Sequence, residues 1–168
     1  GIAPEQIHSV IWLAETDAAN VGPQMKGVKR FEATAAGTDL PIIQRIQEKV
    51  IAAGKGSGDE ANVGNSYYNL GVATMAVAVE AARLGMEGGQ PLTGETLKAG
   101  FEKISGFDAE GLMPAVTYTA EDHQGGGAGR VSEWDGEKWV PVSEWHAAYP
   151  ELIRQVIEES AAKYKEGN

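Results

Sequence analysis

Asn65-Ser66-Tyr67-Tyr68-Asn69-Leu70-Gly71-Val72-Ala73-Thr74-Met75-Ala76-Val77-Ala78-Val79-Glu80-Ala81-Ala82-Arg83-Leu84-Gly85 is the stretch on which the reading of the fold turns. It is long enough for a helix of several turns and has no internal proline. Its apolar residues run almost all round, broken chiefly by Glu80 and Arg83 near the end. A helix of that kind is buried on most sides. It needs packing partners larger than the remaining sequence obviously supplies. Gly85 is placed to cap its end.

Toward the N-terminus, Ser9-Val10-Ile11-Trp12-Leu13-Ala14 is a short apolar run rich in β-formers, expected as a buried strand. Residues 15–20 read as a loop. Residues 22–36 carry Met25, Val28 and Phe31 at helical spacing. Thr38 is placed to cap a second helix from Asp39, with Pro41 in its first turn and Ile42, Ile43, Ile46 and Val50 as its stripe. Gly54-Lys55-Gly56-Ser57-Gly58 breaks it.

Toward the C-terminus, Thr93 caps a helix bearing Leu97, Phe101 and Ile104, with Leu92 and Leu97 spaced as a hydrophobic staple. Residues 115–119 alternate as a strand. Residues 130–134 and 138–142 flank Asp135-Gly136, a hairpin signal. A two-residue turn there sets Glu133 opposite Lys138. Pro150 opens a last helix with Leu152, Ile153, Val156, Ile157 and Tyr164. One strand followed by a run of helices makes no sheet with itself. The first strand therefore pairs outside this stretch or with the late strands at long range, as in an incomplete fold.

Bulk properties narrow the function. The 168 residues suit one domain, and 42% hydrophobic content supports a core. A net charge of −10 disfavours nucleic acid and anionic membranes as partners. The absence of cysteine excludes thiolate catalysis and Cys-ligated metal centres. No apolar run approaches the roughly 20 residues of a membrane span, and no signal peptide opens the chain.

Several pieces, in order, resemble the C-terminal part of the type I periplasmic solute-binding proteins of branched-chain amino acid ABC transporters. They are Val10-Ile11-Trp12-Leu13-Ala14-Glu15, Tyr67-Tyr68-Asn69-Leu70-Gly71-Val72, Pro91-Leu92-Thr93-Gly94-Glu95, Gly111-Leu112-Met113-Pro114, Asp122-His123-Gln124-Gly125-Gly126-Gly127, Trp134-Asp135-Gly136-Glu137-Lys138-Trp139 and Ile157-Glu158-Glu159-Ser160-Ala161-Ala162-Lys163-Tyr164. The resemblance implies an α/β fold, a Rossmann-like two-lobed receptor of which residues 1–168 are the C-terminal portion. It implies that they contribute to both lobes, with crossovers near residues 9–15 and 112–120. It further implies a protein that is not an enzyme and uses no cofactor. Such a protein is exported to the periplasm or beyond. Its partners are a small-molecule ligand, a transporter permease and a missing N-terminal half. The ligand class is a branched-chain or apolar amino acid or an aromatic carboxylate. A ligand-sensing regulator on the same scaffold is the alternative.

Ligands of open α/β sheets sit beyond the carboxyl ends of strands. Trp12, Ala14 and Glu15 are candidates there: Trp12 for stacking and Glu15 for accepting from an ammonium or hydroxyl. The competing reading makes Trp12 core and Glu15 a solvated loop residue. Ser66, Tyr67, Tyr68 and Asn69 open the long helix, where the resemblance places an aromatic against the ligand. Adjacent tyrosines point about 100° apart, so one of the two is expected to face a cleft. Asp122 and His123 read as a loop beside glycines, with no histidine at zinc spacing. Trp134 and Trp139 read as a hairpin staple rather than a sugar platform.

Overall fold

A computed structural model describes residues 1–167. Along the chain run β1 (His8–Ser9), α1 (Glu15–Val21), β2 (Lys29–Glu32), α2 (Pro41–Ile46), α3 (Ser66–Gly85), α4 (Gly94–Phe101), β3 (Ala128–Trp134), β4 (Trp139–Pro141), β5 (His146–Ala147) and α5 (Pro150–Glu166). The architecture is α/β with one mixed sheet in the order β1-β2-β3-β4. β1 lies parallel to β2, β2 and β4 are antiparallel to β3, and β5 pairs with the first residues of β3. The central pairing sets Arg30 opposite Ser132 and Phe31 opposite Val131, two segments about a hundred residues apart.

Several expectations are corrected. The run at residues 9–14 is not a buried strand. β1 ends at Ser9, the chain turns, and Val10 and Trp12 are exposed. Helix α1 occupies the expected loop. Residues 22–36 form a short 3₁₀ turn and then β2 instead of one helix. This is why the first strand finds a partner inside the chain: β2 alternates Arg30 and Glu32 inward with Lys29 and Phe31 outward. Thr38 caps nothing, because α2 begins at Pro41 with Leu40 as its cap residue. The isoleucine stripe is nevertheless where the spacing puts it, with Ile43 fully buried. Residues 115–119 contribute only one bridge, Val116 to Phe107. In the hairpin Trp134 pairs with Trp139, so Glu133 faces Val140 rather than Lys138. The loop is four residues long because Asp135 Oδ1 accepts from the N–H groups of Glu137 (2.8 Å) and Lys138 (2.9 Å). Glu133 pairs instead with Lys29 across the sheet at 3.1 Å.

Trp134 and Trp139 meet edge to face at 5.3 Å and form a core with Ala18, Met25 and Val28 under α1. The long helix α3 packs through a row of small or polar residues: Ser66, Asn69, Ala73, Val77, Ala81 and Gly85. Its other face leaves Met75 and Val79 exposed. The all-round apolar helix is thus covered on one side only by this chain. Gly85 is not its cap but its last helical residue; Met86 takes the cap position, its N–H donating to Ala82 O. Gly85 and Gly100 let α3 and α4 cross backbone against backbone. A methyl group on Gly85 would overlap the Thr96 carbonyl, and one on Gly100 the Ala81 carbonyl. The Thr93 cap is present, its hydroxyl accepting from Thr96 N–H at 3.2 Å. Helix α5 buries none of its residues, and Leu152 and Val156 lie exposed along it. No helix among the described residues is long and apolar enough to cross a membrane.

Two outcomes follow from this packing. Gly100→Ala gains about 1 kcal/mol of helix propensity but overpacks the crossing, so urea denaturation is expected to show a net loss of about 1–3 kcal/mol. Gly71→Ala, where nothing lies within 4 Å, is expected to stabilise by about 0.5–1 kcal/mol. The surface carboxylates supply an acid limit. Hydrogen bonds from Arg83, Lys98 and Arg45 hold Glu80, Glu102 and Glu110 respectively below the ordinary glutamate value of 4.5. With folded values lowered, their contribution is complete above about pH 4.5 and is lost as pH falls through the lowered values. Arg45→Met is expected to flatten that acid dependence in a pH series of melting curves.

Candidate ligand-binding site

Because β1 and β2 are parallel, the segments that leave them, residues 10–14 and 33–40, emerge on one side of the sheet. The start of α3 is brought to the same place. Gly37 N–H donates to Gly64 O at 2.7 Å, and Ala35 N–H to Leu112 O at 2.8 Å. Asn69, fully buried one turn into α3, donates to the carbonyls of Ala35 (2.9 Å) and Gly37 (3.0 Å). Asn65 caps the helix by accepting from Tyr68 N–H at 2.8 Å.

Glu15 is the first residue of α1 and bridges to α3. Its Oε2 accepts from Ser66 N–H at 2.9 Å and its Oε1 from Ser66 Oγ at 2.7 Å. The negative charge thus also sits at the positive end of α3. Ala14 is buried just before it, its N–H donating to Asp17 at 3.2 Å. Behind Glu15, at 3.6 Å, stands Arg30, which has no exposed side-chain surface. Arg30 donates to Leu13 O at 2.9 Å and to Glu32 at 3.0 Å, and lies 4.3 Å over the Trp139 ring. Glu32 is buried too, and its second oxygen accepts from Arg130 Nε at 2.7 Å. Arg130 covers Trp145 at 4.3 Å. Burial lowers the Arg30 guanidinium from its ordinary value, and Glu32 and Glu15 oppose that shift. Two carboxylates and two guanidiniums thus form one electrically balanced row from α3 to β3.

In front of this row two rings are exposed. Trp12 is 63% accessible and Tyr67 45%. They stack at 6.0 Å with planes 26° apart, and Tyr67 Oη donates to Trp12 O at 2.9 Å. Trp12 is therefore a surface residue, which removes its reading as core. Tyr68 is half-buried and turns, with Tyr67, into a groove of about 780 Å³ between α2 and α3, lined also by Ile46, Met75 and Val79. The structure thus gathers Trp12, Glu15, Ser66 and Tyr67 at one place. Ala14 and Asn69 lie beneath, holding the backbone, and Tyr68 stands to one side. Arg30, Glu32 and Arg130 escape a reading of the sequence alone. Lys29-Arg30-Phe31-Glu32 looks solvent-facing, and the partner that makes its burial possible lies 98 residues away. Asp122 and His123 turn to separate partners, Arg154 at 2.9 Å and Glu102 at 3.0 Å.

No family model matches the chain, and no curated protein does. Solved structures do. One described as an ABC transporter permease from the Pseudomonas fluorescens group is 36% identical, with a TM-score of 0.88 over 99% of this chain and 43% of that one. A branched-chain amino acid ABC transporter from Thermus thermophilus with bound valine is 24% identical, TM-score 0.68, over 85% of this chain and 38% of that one. An ABC transporter substrate-binding protein from Aeropyrum pernix is 19% identical, TM-score 0.64, with the same coverage. The chain has the fold of the C-terminal part of a type I periplasmic binding protein. It spans less than half the length of each of these structures.

The row makes the sheet sensitive to one atom. Glu32→Gln leaves Arg30 and Arg130 without their shared counter-charge. The expected loss is about 3–5 kcal/mol, the cost of breaking a buried pair from one side, read as a shift in the urea midpoint at unchanged slope.

Proposed function

We propose that this chain is part of an extracytoplasmic solute-binding component of an ABC transporter. It works with the remainder of a two-lobed receptor to capture a small amphiphilic ligand, a branched-chain or apolar amino acid or an aromatic carboxylate, and to present it to a permease. The observation that carries this reading is the exposed Trp12–Tyr67 pair, held at the carboxyl ends of parallel strands, in a fold whose solved neighbours include an ABC transporter substrate-binding protein and a branched-chain amino acid ABC transporter with bound valine. A large aromatic surface left open at such a place is what a ligand or an opposing lobe covers.

The mechanism requires no covalent step. A ligand that touches both lobes favours the closed form by its differential affinity for that form, and closure is a hinge motion. Trp12 and Tyr67 supply apolar contact area. Glu15 and Ser66 supply the polar edge, and the ionic row behind them keeps that edge from moving. Delivery follows when a permease favours the open form. The site is therefore one of binding and release, not of bond making. Export to the periplasm or cell exterior accompanies this role.

Calorimetric titration of the complete two-lobed protein with both ligand classes tests the reading. At least one is expected to bind more tightly than about 100 μM, where the free energy exceeds about 5 kcal/mol. At a hundredfold excess over Kd the ligand is expected to raise stability by about 2.7 kcal/mol, visible as a rise in Tm. Absence of any such binder in either class would overturn the proposal.

A further inference from the structure

We infer that Glu15 is a two-position switch that governs access to the Trp12–Tyr67 pair. Bound to Ser66, it holds the helical part of the chain against the sheet with no ligand present. Released from Ser66, it turns back onto Arg30. This rests on the solute-capture reading and names what regulates that site. The chain has two parts with separate cores. Leu13, Met25, Val28 and the two tryptophans of the hairpin cluster at the sheet, while the clusters of the helices gather about Ala73 and Ala81. Among the described residues no apolar cluster spans both parts. Parts with their own cores and a polar contact between them move relative to one another by default. Leaving aside the connecting segments 33–40 and 112–127, the hydrogen bonds that tie one part to the other among the described residues belong to two residues of α3. Ser66 donates twice to Glu15, and Tyr67 donates to the Trp12 carbonyl. Ser66 and Tyr67 are consecutive, so both ties form and break together. While they hold, each ring of the aromatic pair covers part of the other.

The second position is read from Arg30. Two of its side-chain nitrogens are engaged, Nη1 donating to Leu13 O and Nη2 to Glu32. Its Nε is buried and has no hydrogen-bond partner. Nε shares one edge of the planar guanidinium with Nη2, and Nη2 is the nitrogen that stands 3.6 Å from Glu15 Oε1. That separation serves an ion pair but is too long for a hydrogen bond. Glu15 thus stands between two sets of donors and bonds one of them. With α3 in place it takes both donors of Ser66, and Arg30 Nε bears the cost of a buried donor left bare. With α3 withdrawn, a small turn of the Glu15 side chain closes the gap to Arg30, supplies the missing acceptor and keeps the ionic row balanced. Opening therefore exchanges one set of charge-assisted hydrogen bonds for another. The two forms lie close in free energy, so a ligand with modest differential affinity can choose between them.

Spin labels on cysteines introduced at Gln90 and Glu137, exposed positions of the helical part and of the hairpin, report the distance between the parts in the complete two-lobed protein. Ser66→Ala removes one of the two donors. In the absence of ligand it is expected to raise the ratio of long to short distances about three- to tenfold. In the same variant the Arg30 Nε–H signal, followed by NMR, is expected to move downfield and to exchange more slowly with solvent. Adding Glu15→Ala to Ser66→Ala should cancel that change. A distance distribution unmoved by Ser66→Ala overturns the switch and leaves solute capture standing. So does an Arg30 Nε–H signal that stays put, or that moves equally without Glu15. Leucine and benzoate, one from each proposed ligand class, are then added to the unsubstituted protein, and at least one is expected to shift the distribution toward short distances. If neither they nor other members of their classes bind or shift it, solute capture is overturned, and the ligand-free results judge the switch by themselves.

Discussion

The sheet depends on a buried ion pair that it could not bear without help. Arg30 and Glu32 sit two residues apart on the inner face of β2, both removed from water. Desolvating two charges costs more than one contact returns, unless the remaining donors and acceptors are also satisfied. Three neighbours do most of this, leaving Arg30 Nε as a buried donor with no hydrogen-bond partner. Leu13 offers a carbonyl, Arg130 reaches from β3, and Glu15 closes the far end. Trp139 supplies an aromatic face instead of solvent. The consequence is connectivity: α1, β2, β3 and the start of α3 are held in register by one chain of opposite charges, so the loop bearing Trp12 has a fixed frame to stand on.

The helical layer is built by the opposite means. Where the sheet uses charge, α3 uses the lack of side chains. Its inward row is serine, asparagine, alanine, valine and glycine, and α4 answers with Gly100. Close approach of two backbones gains dispersion contacts that larger residues would prevent. The polar members of the row, Ser66 and Asn69, lie at the end nearest the site. There they are spent on Glu15 and on the carbonyls of Ala35 and Gly37.

Sequence patterns revealed the parts whose local signals agree with their surroundings. Helices α3 and α5, the Thr93 cap, the α2 stripe and the paired tryptophans of the hairpin all follow from periodicity and end chemistry. The misreadings have a common cause, which is tertiary context. The apolar run from Val10 to Leu13 carries the composition of a buried strand, yet the chain turns after Ser9, so Val10 and Trp12 are exposed while Leu13 packs against the tryptophan core. Lys29 to Glu32 carries the composition of a solvated segment yet forms the middle of the sheet, because its burial is ionic and its partner is distant. The same holds for the site. Trp12, Glu15, Ser66 and Tyr67 could be picked out by position, while the charges that hold them could not, since nothing within β2 alone announces Arg130.

The glycine crossing between α3 and α4 also bears on mechanics. With carbonyls packed where side chains would stand, neither helix has room to slide or roll on the other. The pair behaves as a stiff lever arm some twenty residues long on its α3 side. Bending of the arm itself is disfavoured, so flexing falls on the backbone that meets its N-terminal end, residues 33–40. The load reaches the sheet through the Ser66–Glu15 clasp, so the same two hydrogen bonds that seat the helix act as the coupling through which strain in one layer is felt in the other.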